Sequence, residues 1–163
     1  MKFDPQNPEN YALELAAAKA RAGIAPENAL VLGCDTIVIH DGELLEKPVD
    51  EIQAAEYLRR LSDDWHTVIT AIALEDRGKG RIESAFEATD VRFGPLSDEE
   101  IRAYVGSGEP MDKAGGYGIQ EKGALLVREL RGDYFNVVGL PLFRLTVCLG
   151  RLNFPLIRIL RGN

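Results

Sequence analysis

Asp35 stands where a carboxylate is costly. It interrupts the run VLGCDTIVI (31–39), which is otherwise almost wholly apolar, and an unpaired buried carboxylate is strongly disfavoured. A lysine, a metal ion or a position at the mouth of a cleft has to compensate it. So placed, a carboxylate can orient or deprotonate a water, alone or beside a metal ion. Its plainer reading is a cap on a neighbouring turn. Thr36 follows, and on a regular strand it points to the opposite face. The two reach one ligand only if the strand ends or bends there, a bend Gly33 would permit.

Lys47 precedes a proline in EKPVD (46–50), which holds it extended and fixes the direction its stem leaves the chain. That suits a cation meant for a fixed anion, although exposed turns use the same pair of residues. Lys19 lies in LAAAKARA (15–22), where small neighbours would let a ligand come close; a solvated lysine is the ordinary alternative. In EPMDKAGGYGIQEKG (109–123), Gly115, Gly116 and Gly118 open backbone conformations closed to other residues. Such a loop either presents N–H groups to phosphate oxygens or is simply a tight structural turn. Its spacing is not that of a Walker loop. Asp112 and Lys113 can pair with each other, and Gln120 carries an amide able to read the edge of a base.

The elements that must hold these residues follow from pattern. Pro8–Ala22 reads as a helix with Asn7 as its cap and Gly23 as its stop. Leu30–Ile39 reads as a strand buried on both faces, and Asp41-Gly42 turns it into the short run Glu43–Leu45. Asp50 and Gln53 open a helix to about Leu61. Trp65–Leu74 and Arg81–Phe93 form a hairpin across 77–80. Ser97 and Glu100 open a helix to about Val105. A strand near Ala124–Leu130 and a final helix from about Pro141 complete the chain. Helices and strands alternate with hairpins between them, which predicts an α/β fold with a mixed sheet flanked by helices.

Composition limits the function classes. With 163 residues, 45% hydrophobic and 28% charged, the chain can bury a core. Nineteen basic against 26 acidic side chains give a net charge of -7, which argues against a nucleic-acid polymer but not against a phosphate-bearing small molecule. No apolar run approaches a membrane span and the N-terminus has no signal-peptide region, so the expectation is a cytoplasmic protein that binds no membrane. Cys34 and Cys148 read as small buried hydrophobes. His40 and His66 lack companions at metal-ligand spacing. Arg131-Gly132-Asp133 reads as a hairpin turn, and RLNFPLIRILRG as a packed or partner-facing end.

Taken together, ENYALELAAAKA, GCDTIVI, DGELLEKPVD, LSDDWHTVIT, DKAGGYGIQ and GDYFNVVGLPL resemble the Maf family of nucleoside triphosphate pyrophosphatases. The segments occur in family order and cover the chain to about Leu149, so the resemblance implies one domain over 1–149 and a tail, 150–163, outside it. It implies an elongated mixed sheet with two lobes around a cleft, similar to inosine triphosphate pyrophosphatases. It further implies cleavage of a nucleoside triphosphate between the α- and β-phosphates, with a divalent cation, Mg²⁺ or Mn²⁺. By motif, Asp35 becomes the general base and a metal ligand, and Lys47 a catalytic phosphate-facing cation. Lys19 and Lys113 become further phosphate-facing cations, and Thr36 and Gln120 selectivity residues. YGIQ and NVVGLPL look like the branch acting on dTTP and UTP rather than on 7-methyl-GTP. A role in removing non-standard nucleotides, a link to cell-division arrest and a homodimer are also implied.

One departure bears on competence. Family members begin with a strand leading into Ser-x-Ser-Pro-Arg-Arg, whereas Met1 falls just before the first helix. The expectation is a truncated form of an ordinary enzyme, with an uncovered sheet edge where that strand would pair. The alternative is a nucleotide-binding or regulatory protein with impaired catalysis.

Overall fold

Helix α1 (Pro8–Ala22) presents alanine at every fourth position, and Ala12, Ala16 and Ala20 are wholly buried. So small a stripe lets the helix lie close against strand β1 (Leu30–His40). The closest approach is at Gly33, where a Cβ would stand 2.1 Å from the Ala16 carbonyl oxygen. Gly33 therefore serves packing and not a bend, and β1 continues through it with an unshifted ladder from Leu30 to Ile39. This is a computed structural model and describes residues 3–162. Met1 and Lys2 of the polar start, and Asn163 of the tail, lie outside the described residues.

Asp41 and Gly42, both at positive φ, turn β1 into β2 (Glu43–Leu45). Helix α2 (Glu51–Leu61) is capped by the Asp50 carboxylate, which accepts from the Gln53 amide at 2.8 Å. Strands β3 (Trp65–Asp76) and β4 (Arg81–Phe93) form the expected hairpin, slightly longer than the pattern predicts. Helix α3 (Asp98–Val105) carries the Ser97–Glu100 capping box. Strand β5 (Val127–Arg131) completes a five-stranded sheet of order β2-β1-β3-β4-β5, every pairing among the described strands being antiparallel. The α/β class and the helix-flanked sheet stand as expected, but the sheet is not mixed: each described strand pairs antiparallel to its neighbours. One apolar cluster packs the sheet against α2 and α3, a second packs it against α1, and a third gathers near Cys148 and Leu152.

Three local expectations are corrected. The strand near Ala124 starts only at Val127, because residues 121–126 form a 3-10 turn. There the amides of Lys122 and Gly123 donate to the Glu109 carboxylate, at 3.2 and 3.0 Å, and so are unavailable to a ladder. Arg131-Gly132-Asp133 is not a hairpin: Asp133 caps helix α4 (Tyr134–Val138), accepting from the Phe135 amide at 2.9 Å. The last helix is divided into α5 (Leu142–Arg151) and α6 (Leu156–Arg161), since Asn153 takes a positive φ and Pro155 follows. Among the described residues no helix is long and apolar enough to cross a membrane.

The sheet has one exposed seam that matters for the site. β2 pairs only with Val38–His40 of β1. From Leu30 to Ile37, that edge of β1 has no ladder partner among the described residues.

Candidate active site

The open stretch of β1 forms the floor of a cavity of about 360 Å³, within the range of small-molecule sites. Asp35, Thr36, Lys19, Lys47, Lys113 and Gln120 all line it. Asp35 and Thr36 lie on opposite faces of one strand, yet both reach the cavity because it wraps around the unpaired edge. Sequence reasoning required an ended or bent strand for this; an uncovered edge does the same.

Asp35 projects on the α1 side, where Lys19 Nζ meets its Oδ1 at 2.5 Å and donates also to the Cys34 carbonyl at 3.0 Å. The buried-carboxylate problem is thus solved by a lysine and by the cleft mouth together. Lys19 has three N–H donors, two of them committed to the protein, leaving one for a ligand oxygen. Lys113 is similarly occupied, donating to Asp112 at 2.7 Å and to the Glu109 carbonyl at 3.1 Å. Those contacts hold the Asp112 carboxyl below its ordinary range, the Lys113 ammonium being the main cause. Lys47 is exposed and makes no hydrogen bond or ion pair among the described residues. Buried Pro48 beside it fixes where its stem begins. Its charge reaches Asp112 only through space, without contact, so it is less committed to the protein than Lys19 or Lys113.

Thr36 faces the other way, into a pocket walled by Val38, Val68, Tyr117, Ile119 and Val137. The cavity therefore has a charged end, at Asp35 and the lysines, and an apolar end, at Thr36. None of the apolar wall residues was singled out by sequence reasoning, because a valine in a strand carries no signal beyond burial. The glycine-rich loop does not cradle phosphate through its glycine amides. Gly115 donates to the Glu46 carbonyl at 3.2 Å, Gly116 to the Lys113 carbonyl at 3.0 Å and Gly118 to the Tyr104 hydroxyl at 3.3 Å. The structural reading prevails: Gly115, at φ 71°, lies where a Cβ would press on Val38 at 2.9 Å.

Beneath this loop, His66 Nε2 and the Tyr117 hydroxyl are 2.7 Å apart, and both rings pack edge-on against Phe93. Burial lowers the His66 pKa to about 4, so the ring is neutral. Burial also pushes the Cys34 thiol up to about 11. It donates to the Gly139 carbonyl at 2.9 Å and offers no thiolate nucleophile. Cys148 is buried and unbridged.

A divalent cation fits the site in one manner. Among the described residues no three His, Cys, Asp or Glu side chains converge, but one oxygen of Asp35 lies outside the Lys19 pair. That suits Mg²⁺, which is commonly held by one or two carboxylates together with substrate phosphates.

A family model described as "Maf-like protein" matches residues 2–152. The dTTP/UTP pyrophosphatase of Pectobacterium atrosepticum is 51% identical over 157 residues, which cover 95% of this chain and 78% of that protein. That of Salinibacter ruber is 56% identical over 133 residues, 80% of this chain and 65% of its own. That of Escherichia coli O157:H7 is 49% identical over 150 residues, 91% and 75% respectively.

Proposed function

The chain belongs to the Maf-like family, and on that premise we propose that it hydrolyses dTTP- and UTP-type nucleoside triphosphates to the monophosphate and pyrophosphate. The observation that carries this reading is a two-ended cavity lined together by Asp35, three lysines, Thr36 and Gln120. Its charged end accommodates a triphosphate and its apolar end a flat base.

The reaction joins a water oxygen to the α-phosphorus and breaks the α–β bridge, leaving pyrophosphate. Asp35 accepts the water proton, and Lys19 holds the carboxylate in one position by its 2.5 Å contact. Lys47, which makes no hydrogen bond or ion pair among the described residues, meets the charge that grows on the departing pyrophosphate. Lys113, already shared with Asp112, contributes less. A divalent cation between Asp35 and the phosphates would neutralise part of the same charge. Gln120 and Thr36 select the base.

This reading includes a cytoplasmic setting and no nucleic-acid polymer as partner, for which the net charge of -7 is unfavourable. It includes a homodimer, for which the exposed apolar side chains of α6, Ile157, Ile159 and Leu160, supply area.

The test is pyrophosphate release from dTTP and UTP with Mg²⁺ or Mn²⁺. Wild type is expected to turn both over, and Asp35→Asn to lose on the order of 10²-fold or more in kcat. Binding without turnover in the wild type would reject the enzymatic reading. Undiminished kcat in Asp35→Asn would reject the base.

A further inference from the structure

The hydrogen bonds behind the apolar end fix a direction that the cavity wall alone does not show. Asn136 is wholly buried, and its carboxamide orientation is determined. The Thr70 amide can only donate, and it does so to Asn136 Oδ1 at 2.9 Å. The Nδ2 protons therefore go to the Val68 carbonyl at 2.9 Å and to Thr89 Oγ1 at 2.8 Å. Thr89 closes its own share of the network, accepting from the Asp133 amide at 3.0 Å and donating to the Asp133 carbonyl at 3.2 Å. The Thr70 hydroxyl lies 2.8 Å from the Asn136 backbone carbonyl. A carbonyl only accepts, so the single Thr70 hydroxyl proton is committed there. The 2.9 Å contact between Thr36 and Thr70 hydroxyls must then have Thr36 as its donor. Thr36 has one proton, and it points away from the cavity. What the cavity receives is a lone pair.

Building on the pyrophosphatase reading, we propose that Thr70 and Asn136, neither of which lines the cavity, are positioning residues that make Thr36 an obligate acceptor. The site thereby selects bases bearing a ring imide N–H. Uracil and thymine present that donor at N3, whereas cytosine presents a bare N3 lone pair. Val38, Val68 and Val137 beside Thr36 carry no hydrogen-bonding side-chain group, so at this wall the Thr36 lone pair is the polar feature that meets the base. Gly139 keeps Thr36 accessible: a Cβ there would stand 3.5 Å from its hydroxyl oxygen. Two lone pairs facing each other in such a pocket amount to a discrimination on the order of 10²-fold.

The experiment compares kcat/KM for UTP and CTP in wild type, Thr70→Val and Thr70→Ser, and in wild type adds N3-methyl-UTP and 3′-deoxy-UTP. Binding of the non-hydrolysable α,β-methylene analogues of UTP and CTP is measured in parallel. Wild type is expected to favour UTP on the order of 10²-fold, to treat N3-methyl-UTP as poorly as CTP and to accept 3′-deoxy-UTP like UTP. Thr70→Val frees the Thr36 proton to turn toward the cavity, and the UTP:CTP ratio is expected to fall to within several-fold. Thr70→Ser keeps the hydroxyl and is expected to keep the ratio. An unchanged ratio in Thr70→Val overturns the proposal, as does full acceptance of N3-methyl-UTP. Rejection of 3′-deoxy-UTP overturns it too, since Thr36 would then be reading the sugar. The analogue affinities give the same ratio without turnover, so a wild type that binds but does not cleave rejects the enzymatic reading and leaves this one decided. The wild-type arms need no variant to fold.

Discussion

Three lysines face one cavity, but they are not equivalent, and their protein partners rank them. Lys47 makes no hydrogen bond or ion pair among the described residues and acts on Asp112 only at a distance, whereas Lys113 gives one proton to Asp112 and another to a carbonyl. A cation already neutralised by an adjacent carboxylate gains less from a developing phosphate charge than one held free. Lys47→Ala is therefore expected to lower kcat/KM for UTP on the order of 10²-fold, with stability changed by about 0.5 kcal/mol or less because an exposed side chain without partners is removed. Lys113→Ala is expected to lose less activity and more stability, since its stem packs within 2.8 Å of where a Gly118 Cβ would lie. Steady-state kinetics beside thermal melts would check this; equal activity losses in the two variants would reject the ranking. At this scale the sequence is most informative where a residue type conflicts with its surroundings. Asp35 inside an apolar strand and Lys47 before a proline both stand out. Thr70 and Asn136 do not, because a threonine in a strand and an asparagine near a turn are each ordinary. Only the closed set of donors and acceptors reveals their part.

The element that positions the charged end is α1, and its seating depends on absent atoms. Ala12, Ala16 and Ala20 are wholly buried against the sheet, and Gly33 leaves the gap they enter. A Cβ at Gly33 would lie 2.1 Å from the Ala16 carbonyl oxygen and 2.4 Å from the Ala20 amide nitrogen, both backbone atoms that cannot turn aside. The helix is also tied at its C-terminus, where the Arg77 guanidinium donates to the carbonyls of Gly23 at 2.7 Å and Arg21 at 3.2 Å. Gly33→Ala is thus expected to lift α1 as a unit, at a cost of about 3 kcal/mol or more. It carries Lys19 away from Asp35, so kcat falls even at temperatures where the variant remains folded. Chemical denaturation with kinetics at low temperature tests this, and a fully active, fully stable Gly33→Ala would show that the helix does not set the pair. The helices and the long hairpin were legible because capping residues and apolar periodicity are local signals. The turn at 121–126 was not. Its backbone is organised by Glu109, a carboxylate outside the segment itself, and no local pattern encodes such a partner. The purpose of Gly33 was equally hidden, since a glycine in a strand reads the same for a bend as for a close approach.

At the scale of the whole molecule, the same buried ring that supports the cavity loop sets an acid limit to stability. The His66 ring projects from β3 against the loop carrying Tyr117, with its Nδ1 unpartnered among the described residues. Burial is the largest cause that brings its pKa to about 4; the neighbouring His40 acts in the same direction, and the Asp64 carboxylate partly opposes them. In the unfolded chain a histidine titrates near its ordinary value of about 6.5. Between these two values the unfolded state binds the proton and the folded state does not, so stability rises with pH through this window. The contribution is complete above about pH 6.5 and is lost as the pH falls toward about 4, by roughly 3 kcal/mol. His66→Phe preserves the edge-on ring packing with Phe93 and removes the titration, at the expense of the hydrogen bond to Tyr117. The variant is expected to be less stable than wild type at pH 7.5 by about 1 kcal/mol. Because carboxylate titrations are common to both proteins, the difference between the two unfolding free energies isolates the ring. That difference is expected to shrink, and then reverse, as the pH is lowered from 6.5 to 4.5. Denaturant titrations at a series of pH values measure it directly, and a difference that stays constant across the window would mean that His66 carries its proton equally in both states.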